Sequence, residues 1–209
     1  LVRSFANDGF LWALTETDIA QCEVLLSKAR MYGAQTVALL AQEDPYGQTF
    51  IDWFAFQAKE LGLETAGVVT YTDDTAADGF RRCATLGADC MICVPSSVEN
   101  LQQMVVARKE MVGFNSRLLF SDVAFNVSTL SLLGEDAEGM EGVSMSSDPA
   151  SGFDVSYEVR FGRSPVPGEA HMYDALMLIA YAAYKMQVDG TTDMNAALRQ
   201  LVDGREMNM

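Results

Sequence analysis

The stretch from Thr36 to Leu63 constrains the fold of this chain more than any other. It opens with a continuous apolar run, Thr36–Ala41, of the kind that forms a parallel strand buried on both faces. After a polar turn, apolar residues recur at spacings of three and four, which predicts an amphipathic helix that ends near Gly62. A strand, a turn and a helix in this order form half of a βαβ unit. Ligands of open α/β sheets bind at the carboxyl ends of the strands, so the turn Asp44-Pro45-Tyr46-Gly47 is the first candidate site.

The alternation of apolar strand and amphipathic helix repeats along the chain up to residue 146. Five strands are predicted: Thr36–Ala41, Thr65–Tyr71, Asp89–Val94, Arg117–Ser121 and Gly142–Ser146. Four or five βα rounds at regular spacing are typical of a doubly wound parallel sheet with helices on both faces. We therefore predict an α/β fold with the flavodoxin-like strand order 2-1-3-4-5, in which the strand from Thr36 is central or next to the centre.

The composition changes after residue 147, and the pattern of alternating strands and helices ends there. Residues 147–152 have the composition of a linker, and a long apolar helix is predicted from Glu169 to Val188. A last helix is predicted from Met194 to Val202. These features divide the chain into a domain over 1–147 and a second region over 148–209.

Charge and composition exclude several classes of partner and site. The formal net charge is −15, which repels phosphate backbones, so we expect no nucleic-acid partner. The sequence contains one histidine, His171, and its CxxC motif at Cys90 and Cys93 lies inside an apolar strand, where the two thiols point to opposite faces. We therefore expect no metal site and no cofactor, and we interpret the cysteines as buried, reduced core residues.

The sequence also lacks the common catalytic motifs. No GxGxxG, phosphate-binding loop, GxSxG elbow or HExxH motif is present, so an enzymatic function has little support. What remains is a series of polar turns after strands, at 42–46, 72–74, 95–97 and Asp122. In a parallel sheet these turns share one edge, where they would line one wall of a cleft.

Several motifs resemble the type I periplasmic binding proteins, and most closely the branched-chain amino-acid and amide receptors of ABC transporters. The strand Thr36–Leu40 followed by Asp44–Gln48 is similar to the family pattern of an apolar strand before D-x-Y-G-x-G. Residues 10–21, with the sequence FLWALTETDIAQ, resemble the family's entry into its second lobe. Gly87-Ala88-Asp89 before a strand, Tyr173-Asp174-Ala175 at the start of a long helix, and Ala196-Ala197-Leu198 near the end also match in order.

The resemblance implies ligand contacts at the carboxyl ends of the strands. Tyr46 matches a tyrosine that covers the ligand, and Asp44 precedes it in the same turn. Ser96 and Ser97 match a turn that faces the ligand. Asp122, with the adjacent Val123, matches the position where an acidic residue pairs with a substrate ammonium group. Each has a structural alternative: Tyr46 packed on the sheet edge, and one of the two serines or Asp122 at the start of a helix.

The sequence departs from the family in three respects. Residues matching the family's first lobe and its final strands are not in this sequence, and Thr49 replaces a glycine. We therefore expect 1–147 to be the second ligand-binding lobe, and 148–209 to be the linker and helices that return to the first lobe. The apolar face of 169–188 would then lie exposed and would mediate a homodimer or fold back.

The resemblance implies an extracytoplasmic, noncatalytic solute-binding protein. We expect it to bind an amino acid or small amide and to deliver it to the membrane permease of an ABC transporter. Its expected location is periplasmic or extracytoplasmic, with a lipid anchor on the full-length protein. Two alternatives stay open: a receptor that senses a solute without transport, and a flavodoxin-like enzyme or signalling domain that uses Asp44 or Asp122 as an acid or phosphoacceptor.

Overall fold

A computed structural model describes residues 11–125 and 127–202 of the chain. These residues divide into two compact units, one formed by residues 16–145 and the other by residues 146–202 with 11–15. No helix in the described ranges has the length and apolar character needed to span a membrane.

The first unit contains a five-stranded parallel sheet in the order β2-β1-β3-β4-β5, which confirms the predicted topology. Its strands are β1 (Thr36–Gln42), β2 (Glu64–Tyr71), β3 (Cys90–Val94), β4 (Arg117–Phe120) and β5 (Glu141–Gly142). Its helices are α1 (Asp18–Met31), α2 (Pro45–Glu60), α3 (Ala76–Ala84), α4 (Val98–Glu110) and α5 (Val127–Leu133). Short 3₁₀ turns cover Asp122–Phe125 and Gly134–Ala137.

β1 lies next to the centre of the sheet, as predicted from its apolar sequence. Every residue from Val37 to Gln42 is buried, because α1 and α2 cover one face of the sheet and α3 and α4 cover the other. Odd positions such as Leu39 pack with Phe50 and Phe54 of α2, whereas even positions such as Leu40 pack with the opposite pair of helices. This two-sided burial explains why the strand shows a continuous apolar run and no alternation.

The register between β1 and β3 is fixed at their amino ends by Asp89. Its carboxylate accepts hydrogen bonds from the backbone N–H groups of Gln35 and Thr36, both at 2.9 Å, and from the Thr36 hydroxyl at 3.0 Å. These bonds hold the pKa of Asp89 below its usual value. The Gly-Ala-Asp motif of the sequence therefore positions the two strands whose carboxyl ends carry the candidate site.

The predicted fifth strand, Gly142–Ser146, is wrong in its extent. Only Glu141 and Gly142 pair with β4, opposite Leu119 and Phe120, after which the chain leaves the sheet. Gly142 approaches so closely that a Cβ atom there would lie 2.1 Å from the Phe120 carbonyl oxygen. Only glycine fits at this contact, because a side chain there would collide with the Phe120 carbonyl oxygen.

The cysteines behave as core residues. All four are buried and none forms a disulfide. Cys90 packs on the side of the sheet covered by α1 and α2, and Cys93 on the opposite side, as expected for residues three apart in a strand.

The second unit is helical in its described part. It contains α6 (Phe153–Phe161), α7 (Glu169–Asp189) and α8 (Met194–Val202), with a 3₁₀ turn at Pro149–Ser151. Ala182 of α7 is buried against Ala197 and Leu198 of α8. At the start of α7, Glu169 accepts hydrogen bonds from Arg163, the Val166 backbone and Tyr157, which lower its pKa to about 2.

Candidate functional site

The strand order creates a crevice at the carboxyl edge of the sheet. β1 and β3 are neighbours, but the chain leaves β1 for α2 on one face and leaves β3 for α4 on the other face. The connections therefore diverge between these two strands, which is the geometry at which open α/β sheets bind ligands. Every candidate residue predicted from the sequence lies at this edge or on the adjoining helix ends.

The predicted turn Asp44-Pro45-Tyr46-Gly47 is in fact the start of a helix. Asp44 is the N-cap residue of α2, and its carboxylate accepts a hydrogen bond from the Gly47 N–H at 2.7 Å. Pro45 occupies the first helical position, where its missing N–H costs no hydrogen bond. Asp44 therefore acts in the structure by fixing the helix, and Tyr46 is carried on a helical turn and not on a loop.

Gly47 allows this first turn to lie directly on the end of β1. A Cβ atom at position 47 would lie 2.1 Å from the Gln42 carbonyl oxygen, a distance that no side chain tolerates. The glycine of the D-x-Y-G pattern is therefore needed so that the helix can pack closely on the strand, and this close packing sets the height of Tyr46 above the sheet.

Tyr46 connects three elements through its hydroxyl group. The hydroxyl donates a hydrogen bond to Asp122 Oδ1 at 2.7 Å and lies 3.3 Å from Gln21 Oε1. Its half-buried ring packs edge-on against Phe50, with centroids 5.3 Å apart. Burial, and then the negative charge of Asp122, raise the pKa of Tyr46, so the hydroxyl remains a donor at any ordinary pH.

Gln21 is a site residue that the sequence reasoning did not select. It lies on α1, and its side-chain oxygen also accepts a hydrogen bond from the Asp122 backbone N–H at 2.9 Å. Gln21 thus holds Asp122 and Tyr46 in a fixed relation. The available signal was the similarity of residues 10–21 to a family motif, because that motif ends at this glutamine.

Asp18, one turn before Gln21 on α1, adds a second carboxylate to the cluster. The residue is half-buried, and burial followed by the charge of Asp122 raises its pKa. Among the described residues, neither Asp18 nor Asp122 forms a salt bridge. Two partly buried carboxylates that form no salt bridge within the described ranges produce a negative potential that favours a positively charged ligand group.

The two serines after β3 have different roles. Ser97 is the N-cap residue of α4, where its hydroxyl accepts a hydrogen bond from the Asn100 N–H at 3.1 Å. The Ser96 hydroxyl is buried and has no partner among the described residues. Next to it, the buried Tyr71 hydroxyl donates a hydrogen bond to the Val94 carbonyl at 3.0 Å. Of the pair, Ser96 is therefore the one whose hydroxyl is not engaged in a hydrogen bond with the described residues.

Val123 lies beside the cluster, in the 3₁₀ turn that begins at Asp122. Its carbonyl oxygen accepts a hydrogen bond from the Thr129 hydroxyl at 3.2 Å, which ties this turn to α5. The structure therefore brings Tyr46, Asp122 and Gln21 into direct contact, and it places Val123 at the side of this group.

A cavity of about 1030 Å³ lies within the helical unit. Its lining is rich in aromatic and apolar side chains: Phe153, Tyr157, Phe161, Met172, Tyr173 and Leu176. His171 also lines this cavity, and its Nδ1 atom is buried without a partner in the described part of the chain. None of the predicted site residues lines it, and no group of three metal-binding side chains is found in the described ranges.

Comparison with solved structures gives the family context of this fold. A leucine-binding protein from Thermotoga maritima superimposes with a TM-score of 0.76 and 21% identity, over 96% of this chain and 58% of that one. An extracellular ligand-binding receptor from Rhodopseudomonas palustris HaA2 gives 0.75 and 17%, over 95% and 60%. A fatty acid ABC transporter substrate-binding protein from Thermomonospora curvata gives 0.73 and 15%, over 96% and 55%.

No family model matches the sequence, and no curated protein matches it. The chain spans between 55% and 60% of the length of the three structures described above. At these identities the similarity establishes the fold. The chain therefore has the fold of a type I periplasmic binding protein, as its motifs predicted, over somewhat more than half the length of its solved neighbours.

Proposed function

We propose that this chain is the ligand-binding part of an extracytoplasmic solute-binding protein that serves an ABC transporter. Its structural neighbours include transporter substrate-binding proteins, which supports this class of function. The proposed assignment is residues 1–147 as the second ligand-binding lobe and residues 148–209 as the return to the first lobe. The proposed partners are a small solute and a membrane permease, and the full-length protein is proposed to carry a lipid anchor.

We base the choice of ligand on one cluster of side chains, formed by Tyr46, Asp122, Gln21 and Asp18. The neighbours named for leucine and for a fatty acid share one fold, so the fold does not select the solute. A fatty acid would bring its carboxylate towards Asp18 and Asp122, which repel it, whereas an ammonium group would be attracted. We therefore assign an amino acid or a small amine-bearing amide as the ligand, with the ammonium group near Asp122.

The proposed contacts follow from the geometry of the cluster. Tyr46 covers the solute with its ring and holds Asp122 with its hydroxyl, while Ser96, after the neighbouring strand, has a hydroxyl without a partner among the described residues. Asp44 and Ser97 act through the helix ends that they cap, and Val123 contributes from the edge of the turn.

The structure does not favour an enzyme or a phosphoacceptor. Asp44 is engaged as a helix cap, and Asp122 accepts a hydrogen bond from the Tyr46 hydroxyl, so neither carboxylate is poised as an exposed nucleophile. A sensor without transport would use the same contacts and differs only in its partner.

The experiment that tests this proposal is isothermal titration of the protein with a panel of L-amino acids and their amides. We expect one or more to bind, and Tyr46→Phe and Asp122→Asn to weaken binding roughly 10- to 150-fold, because each removes a hydrogen bond to a charged group. Asp52→Asn, an exposed change on α2, is the matched control. Equal affinities in the wild-type protein and the three variants would show that the cluster does not contact the solute. A preference for fatty acids would contradict the assigned ligand class.

A further inference from the structure

A second polar cluster lies at the same sheet edge, on the side covered by α3 and α4. It is formed by Gln42 at the end of β1, Asp73 after β2 and Asn100 in the first turn of α4. Gln42 and Asn100 are 8% and 2% exposed, so both are buried polar residues. Buried amides normally have all their donors and acceptors paired, and any that do not require an explanation.

Asp73 fixes the orientation of both amide groups. The Gln42 side-chain nitrogen donates to Asp73 Oδ1, and the Asn100 side-chain nitrogen donates to the Asp73 carbonyl oxygen at 3.2 Å. Both acceptors are oxygen atoms, so neither amide can be rotated to exchange its N and O atoms without placing two acceptors against each other. The nitrogen positions, and therefore the oxygen positions, are determined by the protein.

The side-chain oxygen atoms of Gln42 and Asn100 remain without a partner among the described residues. The Ser96 hydroxyl, in the loop just before the N-cap of α4, is a third buried oxygen in the same condition. The carboxylate of Asp73 lies beside the Gln42 side chain, and both Asp44 and Asp73 contribute to the raised pKa of the adjacent Tyr71. Oriented oxygen atoms next to carboxylates form a site that accepts hydrogen bonds from a donor and attracts positive charge.

We infer that Gln42, Asn100 and Ser96 form a second subsite, which binds a positively charged N–H donor such as a primary ammonium group. The part that this subsite plays in solute binding rests on the proposed function. The carboxyl ends of β1 and β4 are two strand spacings apart, about 10 Å. A solute with a donor group at its far end would therefore reach from Asp122 to this subsite, which favours diamino acids and terminal amides over leucine-like ligands.

The test uses methylammonium as the probe and the complete 209-residue chain. Side-chain amide signals of Gln42 and Asn100 are followed by ¹⁵N NMR, with tetramethylammonium and sodium at equal ionic strength as comparisons. We expect methylammonium to shift both signals and the other two ions to leave them unchanged, because tetramethylammonium has no N–H donor and sodium has none either.

Gln42→Met tests the same inference through affinity, since it keeps the side-chain length and removes the amide oxygen together with the nitrogen that donates to Asp73. We expect it to weaken methylammonium binding on the order of tenfold, as followed at Asn100. Gln103→Met is the matched control, because Gln103 also donates to the Asp73 carbonyl, at 3.4 Å, but its oxygen is not among the buried unpaired atoms.

Three results would overturn the inference: no shift with methylammonium, equal shifts with all three ions, or equal loss of affinity in the two variants. The methylammonium readout does not require an amino acid to bind. If no amino acid binds but methylammonium shifts both amide signals, only the proposed function is contradicted. If an amino acid binds but methylammonium shifts neither signal, only the subsite is contradicted.

Discussion

At the scale of single residues, the site is organised by hydroxyl, amide and carboxylate groups that hold one another. Tyr46 donates a hydrogen bond to Asp122, Gln21 accepts one from the Asp122 backbone, and burial followed by the charge of Asp122 raises the pKa of Asp18. The ionised form of Asp18 therefore costs stability in the unliganded protein, because burial and then the nearby charge of Asp122 disfavour it. Residues that weaken the fold while they favour a ligand are typical of binding sites.

Asp18→Asn is therefore expected to raise the melting temperature at neutral pH. The folded-state pKa of Asp18 is raised, so its ionised form is disfavoured by folding and the free energy of unfolding falls as the pH rises above the unfolded pKa of about 3.8. The gain in Asp18→Asn should be present at pH 7 and should disappear near pH 3, where the wild-type carboxyl is protonated.

Differential scanning calorimetry at both pH values provides the measurement. Glu23→Gln, an exposed change on the same helix, serves as the control. A gain of equal size at both pH values would show that the carboxylate charge is not the cause.

At the scale of elements, the sequence predicted the order and type of strands well because their apolar runs are long and regular. It did not predict that Asp44–Gly47 is helical, since proline and glycine are ordinary turn signals and the N-cap role of Asp44 depends on a hydrogen bond to Gly47. Gln21 and Asn100 were not predicted as site residues from the sequence, because each is one polar residue among several on an amphipathic helix. Only the folded chain shows that they face Asp122 and Asp73.

Gly47→Ala tests how α2 and β1 are joined at the site. The added Cβ would meet the Gln42 carbonyl, so the first turn of α2 must move away from the strand. We expect a loss of about 1–3 kcal/mol in the free energy of unfolding, as for other overpacked positions, together with weaker solute binding. Denaturant unfolding gives the first value and titration the second.

Gln48→Ala, at the next and exposed position of α2, is expected to leave both quantities nearly unchanged. If Gly47→Ala also left both unchanged, the close contact between α2 and β1 would have no role in placing Tyr46.

At the scale of the whole molecule, α7 presents a large apolar surface in this chain. Met172, Leu176 and Ile179 are each more than half exposed, as predicted for this helix, whereas Met186 is partly buried against α8. Burying a large apolar side chain contributes roughly 1.5–3 kcal/mol, so a surface of this kind favours association.

We predict that this chain forms a homodimer through residues 169–188. Light scattering at micromolar concentration should give a mass that rises with concentration, and Leu176→Glu should return it to that of a monomer. Val112→Glu is the control, because Val112 is a fully exposed apolar residue in the other unit. A monomeric mass at every concentration would contradict the prediction, and protection of α7 from hydrogen exchange in that monomer would indicate that the helix folds back on its own chain.

The attachment of Tyr46 to a helical turn has a kinetic and entropic consequence. A tyrosine on a mobile loop must lose conformational freedom when a solute arrives, whereas Asp44, Gly47 and Asp122 already hold Tyr46 in place. This preorganised wall reduces the ordering cost of binding, so differences in affinity between solutes should appear mainly in their dissociation rates.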